Sequence, residues 1–304
     1  MFAAFLAAFF FALNATCAGR SVQASGPLRA NLGRLLISVS VLGLFAHTLG
    51  HGFGSASTGW FLLSGIIGMG LGDLGVFAAL PLLGSRLTVL MTQCLAAPIA
   101  AVGEWLWLGT RLSGAQVLWG AVIIGGVLLA LMPSKASPPR VRVRPLGFLF
   151  GLVAAAGQGL GALVSRKGVD VAVAAGESAH NATFGLNATY HRILAGLVFT
   201  AVWFLILRLL GRLPPRPAAL DNPAGRRRAR LWLLANSLVG PVLAVGCYQW
   251  ALATTPSGLV LPIAATTPLI AIPIAYWLEG ERPSRRSVAG GVVAVAGAVA
   301  LTLT

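Results

Sequence analysis

A few ionisable side chains of this sequence sit inside long apolar runs, where a charge is costly and by default suggests function. Asp73, in GIIGMGLGDLGVFAAL, is the only aspartate so placed. Arg34 lies about five residues into another run, and helical rise puts Asp73 about 10 Å from the same end, so an Asp73–Arg34 pair is geometrically allowed. Three readings are open: a proton or solute relay that breaks and reforms, a permanent link between two helices, or Arg34 snorkelling to a polar boundary. Toward the other end, Glu104 and the dipeptide His191-Arg192 lie at comparable depth. They form either a second, inverted ionic gate or unrelated boundary residues, with Glu104 beside Trp105 and Trp107 in an aromatic belt. His191 either titrates near neutral pH or is simply solvated. His47 and His51 stand too far from other ligand types to argue for a metal site.

Uncharged polar residues are spread more widely. Asn14, Thr16, Gln93, Gln158, Asn236, Tyr248, Gln249, Thr266 and Thr267 offer donors and acceptors within apolar runs. Each either faces a solute or makes an interhelical hydrogen bond worth roughly 0.6 to 2 kcal/mol. Pro98, Pro262, Pro268 and Pro273 remove backbone donors and either free carbonyls or kink packed helices. Intramembrane catalysis would need a Ser/His dyad, two aspartates or a metal cluster, and one aspartate without a partner carboxylate argues against it. Tracts such as GIIGMGLG and GGVVAVAG permit close helix contact. As phosphate loops they fail for want of a following Lys-Ser/Thr. No nucleotide motif is present, so ATP is not a direct drive, and no cofactor is expected.

The elements that must hold these residues are membrane helices. With 57% hydrophobic and 10% charged residues in 304, and a mean hydropathy of +0.85, the chain has more apolar surface than a soluble fold can hide. The net charge of +15 therefore reads as a topology signal rather than a nucleic-acid surface. Cys17, Cys94 and Cys247 lie in apolar stretches and make neither a disulfide framework nor a metal spacing. Windows of about 20 apolar residues predict ten spans: Phe2–Ala18, Arg29–Leu49, Gly59–Leu80, Leu87–Leu108 and Ser113–Met132, then Leu146–Ser165, Phe184–Leu207, Leu231–Ala253, Gly258–Leu278 and Ser287–Leu303. The first run lacks the positive region of a secretory signal and reads as a retained helix. Gly211–Arg230 reads as a loop. Asn181 and Asn187 begin Asn-X-Thr sequences that matter only in a eukaryotic secretory cell, whereas Asn14 is intramembrane.

The chain repeats itself. Gly280–Leu303 echoes Gly109–Leu131, with Gly109/Gly280, Arg111/Arg282, Ser113/Ser284, Gly120/Gly291 and Gly126/Gly297 in step. Upstream, Ala79-Leu80 answers to Ala251-Leu252, and Arg34 to Arg192. The units are residues 1–132 and 146–304, joined by a basic, proline-broken linker at 133–145. Loops after odd-numbered helices, with Arg29, hold 17 of the 22 Lys and Arg residues, and loops after even-numbered helices hold only Arg111, Arg166 and Lys167. The positive-inside rule puts the odd loops in the cytoplasm and both termini outside. Five helices per unit then make the second copy upside down, an inverted-topology repeat.

On GERPSRRSVAGG (Gly280–Gly291), ALATTPSGLVLPIAATTPLIAIPIA (Ala251–Ala275) and the single arginines Arg34 and Arg192, the chain resembles the drug/metabolite transporter superfamily, in particular its ten-helix EamA kind. The resemblance covers essentially the whole length. The first copy has Thr110 where the second has Glu281, so that carboxylate is not required in both units. The resemblance implies alternating-access movement of a small metabolite, amino acid or drug-like solute, often as export driven by a proton or exchange gradient. It further implies that the helices bearing the uncharged polar residues line a central cavity. The Arg-over-Lys bias and the abundance of Ala and Gly read as bacterial, so the expected setting is a bacterial cytoplasmic membrane, with a monomer or homodimer in the bilayer. An intramembrane enzyme and a non-transporting scaffold are the competing classes.

Overall fold

The computed structural model describes residues 1–132, 143–213, 215, 217, 220–271 and 285–304, with the side chains at 77, 80 and 84–86 left aside. Residues 133–142 of the expected 133–145 linker, Pro273, and the Glu281–Arg282 turn lie outside the described residues. Among the described residues the fold is helical throughout. The first unit contains α1 (Phe2–Ser25), α2 (Pro27–Thr48), α3 (Thr58–Gly65), a π-helical segment (Ile66–Gly72), α4 (Asp73–Leu108) and α5 (Gly114–Leu131). The second contains α6 (Pro145–Ala174), α7 (Ala182–Leu209), α8 (Pro223–Ser237), a second π-helical segment (Leu238–Ala244), α9 (Val245–Thr254), α10 (Ser257–Ala265) and α11 (Arg285–Thr302). Nine helices among the described residues are long and apolar enough to cross a membrane, and the shorter Ser257–Ala271 runs up to the undescribed stretch.

Local chemistry sets the ends. Ser113 and Gln116 cap α5 reciprocally, Asn181 caps α7 at Phe184 N (2.8 Å), and Asn222 caps α8 at Gly225 N (2.6 Å), ahead of Pro223. Asn181 is thus a helix cap. Gly109 ends α4 with φ +70°. The Asn222 cap also corrects the expected loop at Gly211–Arg230, whose latter part, including Arg226, Arg227 and Arg228, forms the polar first turns of α8.

Helical turns continue from Thr58 to Leu108 where a break was expected near Leu80–Leu87. The chain nonetheless doubles back. Gly68, Gly72 and Gly75 meet Gly161, Gly157 and Ala154, so the first limb runs antiparallel to α6. Met91, Ala96 and Gly103 meet Gly151, Gly159 and Leu163, so the second limb runs parallel to it. A straight helix would separate Phe61 from Gly103 by about 63 Å, yet they touch α6 at Gly168 and Leu163. Two spans flank α6, as the hydropathy predicts.

The two π-helical segments sit 172 positions apart, the same offset as Ala79 and Ala251 in the repeated sequence. Each widens the equivalent helix of its unit. α1 runs antiparallel to α8 and α9, with Phe2 against Trp250 (6.4 Å), Asn14 against Gly240, and Arg20 over Trp232 (5.9 Å). Its first residue therefore lies at the Trp250 end of the bundle, whereas α6 starts at the opposite end, where Arg144 N donates to Leu82 O (3.0 Å). The outer surface is apolar: Val288, Val292, Val295 and Val299 line one exposed stripe of α11.

Candidate functional site

Three ionic or polar groupings lie along the bundle. At the end where α2 begins, Arg34 NH2 lies 3.5 Å from Asp73 Oδ2, and Arg34 Nε donates to Asn31 Oδ1 (2.8 Å). The pair joins α2 to the start of α4, where the sequence places it. It is not sealed: each side chain keeps about a fifth of its surface accessible (21% and 22%). Asp73 borders a cavity of about 220 Å³ with Pro27, Asn31, Met69, Thr200 and Trp203.

At the other end, Glu104 is 2% exposed, buried while its neighbours Trp105 and Trp107 are open. This corrects its expected place in an aromatic belt. One carboxylate oxygen accepts from Arg166 Nε (3.0 Å); the other accepts from Ser257 N (2.7 Å) and from Ser257 Oγ. Arg166 NH1 in turn donates to Leu252 O (2.6 Å). The network ties α4, α6, the end of α9 and the start of α10. Arg166 was expected in a loop, but α6 continues to Ala174 and holds it in place. Glu104 is thus paired with Arg166 rather than with the His191-Arg192 dipeptide. Glu177 extends this closed end by binding Ser55 Oγ and Ala56 N (both 2.7 Å), pinning the loop before α3.

Between these ends lies a cluster around Arg192, ten residues into α7 and 4% exposed. Its guanidinium presses on Gly68 in the first π-helical segment, and its backbone packs against Gly65. Tyr248 and Asp73 lie within electrostatic reach of it. Tyr248 stacks edge-on with Phe11 of α1 (6.2 Å). Asn14 meets Gly240 in the second π-helical segment, one turn beyond Asn236. Asn14, Asn236, Tyr248 and Gln249 are buried. Arg192 Nε and NH1, Tyr248 OH, both amide atoms of Gln249, and the amide oxygens of Asn14 and Asn236 have no hydrogen-bond partner. Buried polar atoms are normally satisfied, so such a concentration of orphans marks a place for a ligand or water.

His191 is fully buried rather than solvated, with Phe53 at 5.3 Å and Tyr190 at 5.3 Å; His47 meets Tyr190 OH (3.3 Å). Thr266 and Thr267 spend their hydroxyls on Ile263 O and Ala264 O of their own helix. Thr16, Gln93 and Gln158 are half-buried and lie outside the contacts that define the Arg192 cluster. Arg166, Ser257 and Glu177 escape sequence reasoning, because each follows the last apolar residue of a window. The only sequence signal for Arg166 is its place among the three cations on the sparsely charged side.

The sequence model of the EamA-like transporter family matches residues 1–132 and 145–303. A solved structure described only as "Crystal structure of protein" superposes with a TM-score of 0.72 at 19% identity, covering 99% of this chain and 96% of that one. No curated protein matches.

Proposed function

As this chain belongs to the EamA-like transporter family of the drug/metabolite transporter superfamily, we propose that it moves a small metabolite, amino acid or drug-like solute across the membrane by alternating access. The observation that carries this reading is the nest of unpaired buried polar atoms around Arg192, lying between a closed network at Glu104 and a part-open ion pair at Arg34–Asp73. A solute seated there would supply the missing hydrogen bonds, and opening one end while closing the other would carry it across.

The arginine-rich end, with Arg34, is the cytoplasmic face in this reading, and both termini lie outside. Transport is export driven by proton or solute exchange across a bacterial cytoplasmic membrane. Asp73 is the coupling group, since a part-exposed carboxylic side chain beside a guanidinium can exchange a proton for its ion pair. Purified protein in liposomes, given a panel of amino acids, organic acids, amines and sugars with and without a pH gradient, tests the proposal. Movement of at least one solute is expected; no flux of any under either condition refutes it.

A further inference from the structure

Among the described residues Arg192 has no counter-charge of its own: no carboxylate comes within ion-pair distance of it. Asp73, five residues beyond Gly68 on the same helix, already lies 3.5 Å from Arg34. The described residues of the cluster thus set two guanidinium groups against one carboxylate and keep one unit of positive charge. Water cannot offset this freely, because Arg192 is 4% exposed with two of its nitrogens unbonded. A buried, unpaired cation costs several kcal/mol, and glycine at 68, where any Cβ would lie 2.8 Å from NH2, is what leaves the guanidinium its room.

We infer that Arg192 anchors the carboxylate of a monoanionic solute, with Tyr248 OH as a further contact and the Phe11–Tyr248 pair as an apolar wall for its body; this rests on the transport reading above. A guanidinium makes charge-assisted N–H···O bonds to carboxylates, and the unbonded Nε and NH1 offer donors on two separate edges, either of which can hold a carboxylate oxygen. The charge balance selects the class. One negative charge neutralises the cluster, a phosphate dianion overshoots it, and an organic cation meets repulsion. The amide oxygens of Asn14 and Asn236 can accept from a donor elsewhere on the solute.

The test is binding to the purified full chain, read by thermal shift and tryptophan fluorescence, with acetate, butyrate and benzoate as monocarboxylates. Benzamide, benzylamine and phenyl phosphate serve as neutral, cationic and dianionic counterparts of benzoate. At least one monocarboxylate is expected to bind, at least tenfold tighter than its counterparts. Arg192→Gln should weaken it tenfold or more and Arg192→Lys should restore part of that. Asp73→Asn, which leaves a larger positive excess, should tighten binding severalfold, and it decides the matter if Arg192→Gln does not fold. Equal binding of benzamide, tighter binding of benzylamine or phenyl phosphate, or no monocarboxylate binding overturns the inference, as does indifference to both substitutions. Liposome flux of a solute without a carboxylate leaves transport standing and sinks the anchor. Carboxylate binding through Arg192 without flux of any solute does the reverse.

Discussion

Glu104 is held by a cation and two donors of one serine, so its removal leaves Arg166 and the Ser257 N–H facing a void. Glu104→Ala is expected to cost about 3 to 5 kcal/mol, the range for breaking a buried pair from one side. Adding Arg166→Ala should return part of that loss in chemical or thermal unfolding of the detergent-solubilised protein. A double-variant loss equal to the sum of the Glu104→Ala and Arg166→Ala losses would mean that the pair carries no coupling. Asp73 makes the opposite prediction. It is part-exposed, so Asp73→Asn should express and fold as wild type while abolishing the pH dependence of flux in liposomes; flux that still follows the pH gradient would return Asp73 to a packing role. Asp73 and Arg34 were legible as a pair because each is a lone charge at a depth that helical rise alone predicts. Glu104 was not. Its partner lies just past an apolar window and its second partner begins another helix, and no periodicity reports contacts between segments 62 and 153 residues apart.

The sequence repeat, read from glycines and a few matched polar residues, foretold equivalent helices, and the paired π-helical segments at a 172-residue offset lie on that alignment. The π geometry was not foretold, because an i→i+5 ladder forms in answer to what packs against the helix: here Arg192, Gly157 and Gly161 on one segment and Asn14 on the other. The glycines in step at Gly126 and Gly297 do have a packing reason. α5 and α11 meet so closely that a Cβ at Gly126 would lie 2.6 Å from Ala294 N, and one at Gly290 would lie 2.6 Å from Ala130 N. Gly290→Val should therefore destabilise by about 1 to 3 kcal/mol through overpacking. Gly291 and Gly125 supply the control, since a Cβ at either meets nothing within 4 Å. Their alanine variants should match or slightly exceed wild type in thermal stability. If all three substitutions behave alike, helix propensity rather than close contact governs this pair.

Across the whole molecule, charge and contact geometry bear on the same question from independent directions. The arginines alone assign sides to loops, and a single miscounted helix would reverse every assignment after it. Contacts do not share that weakness, because α1 begins at the Trp250 end and α6 at the Leu82 end whatever the count. Together they predict that the two units begin in opposite compartments. The prediction can be checked in cells with a variant lacking Cys17, Cys94 and Cys247, carrying one new cysteine at Phe2 or at Val143, both exposed. A membrane-impermeant maleimide should label Phe2→Cys from outside and spare Val143→Cys until the membrane is opened. The reverse pattern would keep the inverted relation but turn the molecule over, placing Asp73 toward the outside and undoing the coupling direction argued from it. Labelling of both from one side would mean that the first unit crosses the bilayer an even number of times, and then the two units would not be inverted and the two-ended cycle about Arg192 would fail.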